Sequence, residues 1–296
     1  MEISKISDND LLSEIGRRFE EKKASIEEME FMTKKLLDLN EKNKQSQKVK
    51  SEFLSLIKNE FNNPMSSLLN ISNMLIKKID NPDLLNLTEM MNGELLKLDF
   101  SLKNIFAASE IEAGETANEY SSINIEEIYN ETIEYLGSII KEKSLEMQFI
   151  SNCKEKVISD SQKINIILLN LISNACEYSY PNSKVTVTLF CDERNYIITV
   201  EDEGEGIKKE HTKEIYNRFS HFETGKTRAT AGLGLGLSVV RGMVEALEGM
   251  IDNVAKEGKT IFIIHLKKLN EDEIDISTGV GSNEFMFDDT DGMAEF

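Results

Sequence analysis

The run Tyr196-Ile-Ile-Thr-Val-Glu201 alternates apolar and polar residues and then breaks into Asp202-Glu203-Gly204-Glu205-Gly206. Such alternation predicts a half-buried β-strand, and the break places a carboxylate at the strand's end. From there Asp202 can accept a hydrogen bond from an exocyclic amine such as adenine N6. Gly204 and Gly206 permit positive backbone dihedrals and the close approach of a flat group. Taken alone, the D-x-G-x-G pattern reads equally well as a tight turn, so its neighbours matter.

Upstream, Ser161 to Cys176 reads as a helix carrying Asn170 and Asn174 four residues apart, on one face. An Asn carbonyl is a hard oxygen donor suited to Mg2+, which borrows further ligands from nucleotide phosphates. Downstream, Gly232-Leu-Gly234-Leu-Gly236-Leu precedes an apolar helix. Backbone N–H groups at such a helix start form a natural phosphate site. This is not the dinucleotide fingerprint, because no strand leads into it and the spacing is G-x-G-x-G. Gly225-Lys226-Thr227 is not a P-loop either, since Ser220 stands where its first glycine belongs.

Around these boxes the texture is of strands alternating with helices. Strands are expected near 122–125, 145–150 and 156–158, over 184–191 and 196–201, and over 250–254 and 260–266. One helix is expected over 126–142 and another after Gly236. Together they predict an α/β sandwich, with helices on one face of a mixed sheet.

The first third of the chain is helical in pattern. Between about Leu11 and Lys50, Ile15, Phe19, Ile26, Met29, Leu36 and Leu39 recur at spacings of three, four and seven, predicting a coiled coil. A helix continues through Phe53, Leu54, Ile57 and Phe61 to about Ile79, Asn81-Pro82-Asp83 turns the chain, and a second helix runs from about Leu84 to Glu112, with Gly114 as its C-cap. Two helices alone bury too little, so pairing of two copies into a four-helix bundle is expected.

The 296 residues carry a formal net charge of -19, which argues against nucleic acid or an anionic membrane surface as the main partner. Nine acidic residues lie between Asn270 and Phe296, a stretch with no Lys or Arg, which reads as a disordered acidic tail. No apolar run reaches the roughly 20 residues of a membrane span, the start is not a secretory signal, and a cytoplasmic location is expected. Cys153, Cys176 and Cys191 form no C-x-x-C pair, so neither a zinc site nor a disulfide framework is expected.

In order, N-x-x-x-N, D-x-G-x-G, Ile215-Tyr-Asn-Arg-Phe219 and G-x-G-x-G-L resemble the ATP-binding domain of two-component sensor histidine kinases, within the GHKL ATPase superfamily. The helical pair before them, ending in Ala108-Ser-Glu-Ile-Glu112-Ala-Gly114, resembles the family's dimerisation and phosphotransfer hairpin. The resemblance spans about 51–268. It implies a coiled coil over 1–50, the hairpin over 51–115, the ATP-binding domain over 120–268 and the acidic tail over 269–296. It also implies ATP and Mg2+ as cofactors. Asn174 would ligate the metal with support from Asn170, Tyr178 would keep its place beside the nucleotide, Asp202 would read adenine, and Gly204 and Gly206 would line the base pocket. The segment 220–231 would be a lid hinged at Gly232, Gly234 and Gly236 and anchored by Phe219, with Lys226 and Arg228 facing the triphosphate. The implied partners are a second copy of the chain, the receiver domain of a response regulator and an upstream sensor protein.

The departures from the family pattern point the other way. Asn59 stands at the position of the phosphate-accepting histidine, and a carboxamide nitrogen has no nucleophilic lone pair, so autokinase activity at that site is expected to be absent. Glu177 stands where a Lys is common and His221 where an Arg is common. Lys58 and Asn62 also differ, and several linked departures favour natural divergence over a laboratory substitution. Glu60, Asn63 and Pro64 keep their places. In the family the Glu assists as a base, and a residue at the position of Asn63 positions water against an aspartyl-phosphate, work that needs placement more than nucleophilicity. Three readings follow: a histidine-kinase-like protein that docks or dephosphorylates a response regulator, an active kinase or ATPase using another acceptor, and a dimeric scaffold with a vestigial nucleotide site.

Overall fold

A computed structural model describes residues 52–154, 156–207, 211–212, 214–218, 234–256 and 258–269, together with Met32, Lys34, Lys35 and Val49. The chain divides into two units, residues 1–57 and 58–296. The described residues of the first unit are helical. The rest of the expected coiled coil lies outside the described residues, as do the acidic tail and the lid segment.

Helix α1 runs over 52–78 and helix α2 over Pro82–Ala113. Pro82 does not merely turn the chain but begins α2, where its missing N–H costs nothing. The Asn81 side chain accepts the N–H groups of Asp83 and Leu84, and Gly114, at φ 73°, closes the helix in the left-handed region. Lys58 on α1 and Glu110 near the end of α2 meet at 2.6 Å, tying the hairpin together.

The remaining elements are β1 (Tyr120–Ile123), α3 (Ile125–Tyr135), α4 (Gly137–Lys143), β2 (Glu146–Ser151), β3 (Val157–Asp160), α5 (Ser161–Tyr178), β4 (Lys184–Cys191), β5 (Asn195–Asp202), α6 (Gly236–Ala246), β6 (Met250–Lys256) and β7 (Lys259–Lys267). Five strands form a mixed sheet in the order β2-β4-β5-β7-β6, parallel between β2 and β4 and antiparallel elsewhere. β1 and β3 make a separate antiparallel ribbon. The helix expected over 126–142 is two helices, because the chain leaves helical geometry at Leu136, just before Gly137, the poorest helix former after proline.

One face of the sheet is covered by helices. Ile164, Ile167, Leu168, Leu171 and Ile172 of α5 and Val239, Val240 and Val244 of α6 are fully buried with Val185, Val187, Ile198 and Ile264 of the sheet. Each such side chain is worth roughly 1.5–3 kcal/mol of burial, so α5 and α6 are held firmly enough to position a site at their ends.

A buried ion pair fixes the connection from hairpin to sheet. Asp160 caps α5 by accepting the Lys163 N–H, and it also accepts the Glu119 N–H. The Lys163 ammonium lies 2.6 Å from the same carboxylate and donates to the Ala117 carbonyl. A second link joins α2 to α3: the Tyr135 hydroxyl donates to the Leu96 carbonyl and to Asp99, which also pairs with Lys103.

Candidate nucleotide site

Helix α5 brings its two asparagines to one end of the sheet. Asn170 is buried, and its amide nitrogen donates to the Ile166 carbonyl at 2.9 Å. That bond orients the side-chain oxygen toward the start of α6. A Cβ built on Gly236 would lie 2.7 Å from the Asn170 Oδ1, so glycine is required there for the two helices to meet so closely. Asn174 follows one turn later, half-buried, and Tyr178 is exposed at the helix end.

β5 runs out beside them. Asp202 is 3% exposed, and among the described residues its Oδ1 has no hydrogen-bond partner. Burial pushes its pKa up to about 7, against a hydrogen bond from Thr260 that lowers it, with the Glu201 charge raising it further. An acceptor kept dry and unpaired is costly, and a ligand donor is the physical means of recovering that cost. Ser179 bridges to Gly204 in antiparallel fashion, and a Cβ on Gly204 would fall 2.3 Å from the Tyr178 carbonyl oxygen. The loop after Asp202 is thereby pressed flat against the end of α5. Gly206, at φ 74°, adopts the left-handed turn that its sequence position predicts.

Of the glycine box, Gly234 has φ 65° and Gly236 begins α6. Leu235, between them, is buried and caps the helix without a side-chain hydrogen bond; the first N–H groups of any helix have no intrahelical acceptor. Phe219, Lys226, Arg228 and Gly232 lie outside the described residues, and so does His221.

Lys143 is the residue that sequence reading missed. From the end of α4 its ammonium donates to the carbonyls of Cys176, Glu177 and Ser179 at the C-terminus of α5, a cation on the negative end of that helix. It bears directly on Glu177, whose pKa burial raises and the Lys143 charge lowers. Nearby, Lys259 pairs with Glu201 at 2.7 Å and reaches Glu203 at 3.6 Å, so part of the local acidity is neutralised.

Asn59, Glu60 and Asn63 are exposed on α1. Among the described residues no hydrogen bond joins them to the α5–β5–α6 cluster. Pro64 has no N–H to return to the Glu60 carbonyl, and the Ser67 hydroxyl donates to the Asn63 carbonyl at 3.0 Å.

Residues 159–270 match the family described as histidine kinase-, DNA gyrase B-, and HSP90-like ATPase. Histidine protein kinase 1 of Candida albicans is 27% identical over 219 residues, 71% of this chain and 9% of that protein. Sensor protein SrrB of Staphylococcus aureus is 36% identical over 118 residues, 39% of this chain and 20% of that protein. Over residues 159–270 the chain therefore carries a histidine kinase-type ATPase domain, and over 219 residues it resembles a histidine protein kinase. The fold agrees: full-length ShkA, solved in complex with AMPPNP, superposes with a TM-score of 0.55 at 18% identity, over 74% of this chain and 46% of its own. The chain spans about a tenth to a fifth of the length of the curated relatives it matches. No described helix is long and apolar enough to cross a membrane.

Among the described positions, two contacts involve glycines of the predicted boxes. Asn170 meets Gly236, and the end of α5 meets Gly204. The glycines are used for contact at Gly204 and Gly236 and for dihedral freedom at Gly206 and Gly234, two different physical reasons behind one residue type.

Proposed function

We propose that this chain binds ATP with Mg2+ at the α5–β5–α6 cluster and serves a response regulator by docking or dephosphorylation, without phosphorylating its own α1. The observation that carries the nucleotide reading is the Asp202 carboxylate, buried with Oδ1 unpartnered beside the flat surface at Gly204. An exocyclic amine supplies the donor it lacks. Gly204 and Gly206 would leave room for the base, the N–H groups at the start of α6 suit a phosphate, and Asn174, supported by Asn170, would offer the oxygen for Mg2+. Bound Mg2+ would supply charge neutralisation for the phosphates. Tyr178, Phe219, Lys226, Arg228 and Gly232 complete the site in this reading.

The acceptor position on α1 is held by Asn59, whose amide cannot take up a phosphoryl group. Asn63 and Glu60, exposed on the same helix, would in this reading orient water toward an aspartyl-phosphate presented by a receiver domain. The exposed apolar side chains of the hairpin, including Phe61, Ile71, Leu87 and Met90, support pairing of two copies into a four-helix bundle. The domain limits of the sequence reading, and a cytoplasmic location, belong to the same proposal.

The test is incubation of the purified chain with γ-labelled ATP and Mg2+, beside an Asn59→His variant. The proposal expects no label on the natural chain. Acid-stable label on it would mean a hydroxyl acceptor and a working kinase of another kind; acid-labile label would mean His211, His221 or His265. Either contradicts the proposal.

A further inference from the structure

No disulfide framework is expected from the sequence, yet the structure pairs Cys153 and Cys191 as a disulfide with Cα atoms 5.4 Å apart, inside the usual range. Their meeting follows from the sheet. β2 and β4 pair in parallel with a constant offset of 38 residues, Glu146 to Lys184 through Ser151 to Leu189. The two cysteines are separated by the same 38 residues. Each lies two positions beyond the last ladder pair, so the register itself sets them opposite one another.

The alignment has further support that needs no sulfur bond. The Asn152 N–H donates to the Leu189 carbonyl at 3.2 Å, its side-chain oxygen accepts the Cys191 N–H at 2.8 Å, and its amide nitrogen reaches the Cys191 carbonyl at 3.4 Å. The Cys153 N–H donates to the Ser151 hydroxyl. The reduced pair is therefore held in place by the backbone. Both residues are half-buried, within reach of small solutes. The third cysteine differs: Cys176 is fully buried in α5, and burial pushes its thiol up to about 12, which suppresses the reactive thiolate.

We propose that Cys153 and Cys191 form a reversible thiol–disulfide site that responds to low-molecular-weight disulfides and locks the edge strand β2 onto β4. The thiolate of one cysteine attacks the external disulfide, forming a mixed disulfide and releasing one small thiolate. The thiolate of the second cysteine attacks the protein sulfur of that mixed disulfide, closes the internal bond and releases the other small thiolate. The two protons lost by the cysteines are taken up by the two released thiolates, so one external disulfide is reduced for each protein disulfide formed. β2 is the strand that gains, because as an edge it has a ladder on one side only. The pair lies away from Asp202: Cys191 pairs with Tyr196, at the end of β4 and β5 opposite the Val185–Asp202 pair.

The test uses the full, reduced chain equilibrated in mixtures of reduced and oxidised glutathione, quenched, alkylated and mapped by mass spectrometry, with hydrogen exchange measured on the two end states. The expected result is loss of the Cys153 and Cys191 thiols together, a linked peptide pair joining them, full recovery with dithiothreitol, and slower exchange at β2 amides in the oxidised form. A Cys176→Ser variant should behave like the natural chain, and a Cys191→Ser variant should stop at a stable glutathione adduct on Cys153. Independent titration of the two thiols, lasting adducts on the natural chain, linkage through Cys176 or between chains, or equal β2 exchange in both states would each overturn the proposal.

Discussion

Replacing Asp202 by Asn keeps the shape of the buried side chain and removes its titration, which isolates the energetic consequence of burying a carboxylate. The folded chain holds Asp202 at about 7, against 3.8 for an ordinary aspartate, chiefly through burial. A folded-state pKa above the unfolded value means that the native state binds a proton the unfolded state gives up. The stability contributed by protonated Asp202 is therefore complete below about pH 4 and is lost as pH rises through 7. At roughly 1.4 kcal/mol for each pKa unit, the total is about 4 kcal/mol, of which about 2 kcal/mol falls between pH 5.5 and pH 8. Urea denaturation of the natural chain and of Asp202→Asn across that window should show the variant gaining stability relative to the natural chain by about this amount, with the gain levelling off above pH 8. Adding an adenine nucleotide should shrink the slope for the natural chain, since the ligand's amine favours the ionised carboxylate. A stability difference that stays flat with pH would refute the assignment of Asp202 as a dry carboxylate with Oδ1 unpartnered.

Three further outcomes follow from single contacts. Lys143→Met strips three carbonyls at the end of α5 of their donor and should cost about 1–3 kcal/mol in chemical denaturation and weaken nucleotide binding; Lys143→Arg should recover part of both. Asp160→Ala leaves the Lys163 ammonium buried without its partner and should lower stability by about 3–5 kcal/mol, readable as a drop in melting temperature. Gly204→Ala forces a methyl against the Tyr178 carbonyl and should cost about 1–3 kcal/mol with loss of nucleotide binding, whereas Ala at Gly93, where nothing crowds the added carbon, should leave binding unchanged.

Much of the α/β unit is legible in its residues because its signals are local. The alternation in 184–191 and 196–201 finds β4 and β5 to within a residue, and Gly114 stops α2 where a C-cap glycine should. What escaped depends on partners distant in sequence. The strand at Tyr120–Ile123 is local, but its pairing with β3 in a ribbon apart from the main sheet is not. The Cys153–Cys191 pair is invisible to motif spacing and appears once β2 and β4 are known to run in parallel. Lys143 escaped for the same reason: no pattern links a lysine ending one helix to the carbonyls that end another. Gly137 carried a readable signal, a poor helix former within an otherwise helical run, and giving it more weight would have split α3 from α4.

The most direct test of the account is calorimetric titration of the natural chain with AMPPNP and Mg2+, repeated with Asp202→Ala. Saturable binding at one site per chain, absent in the variant while its far-ultraviolet circular dichroism is unchanged, is the predicted result. No binding to the natural chain, or equal binding to both proteins, would contradict it.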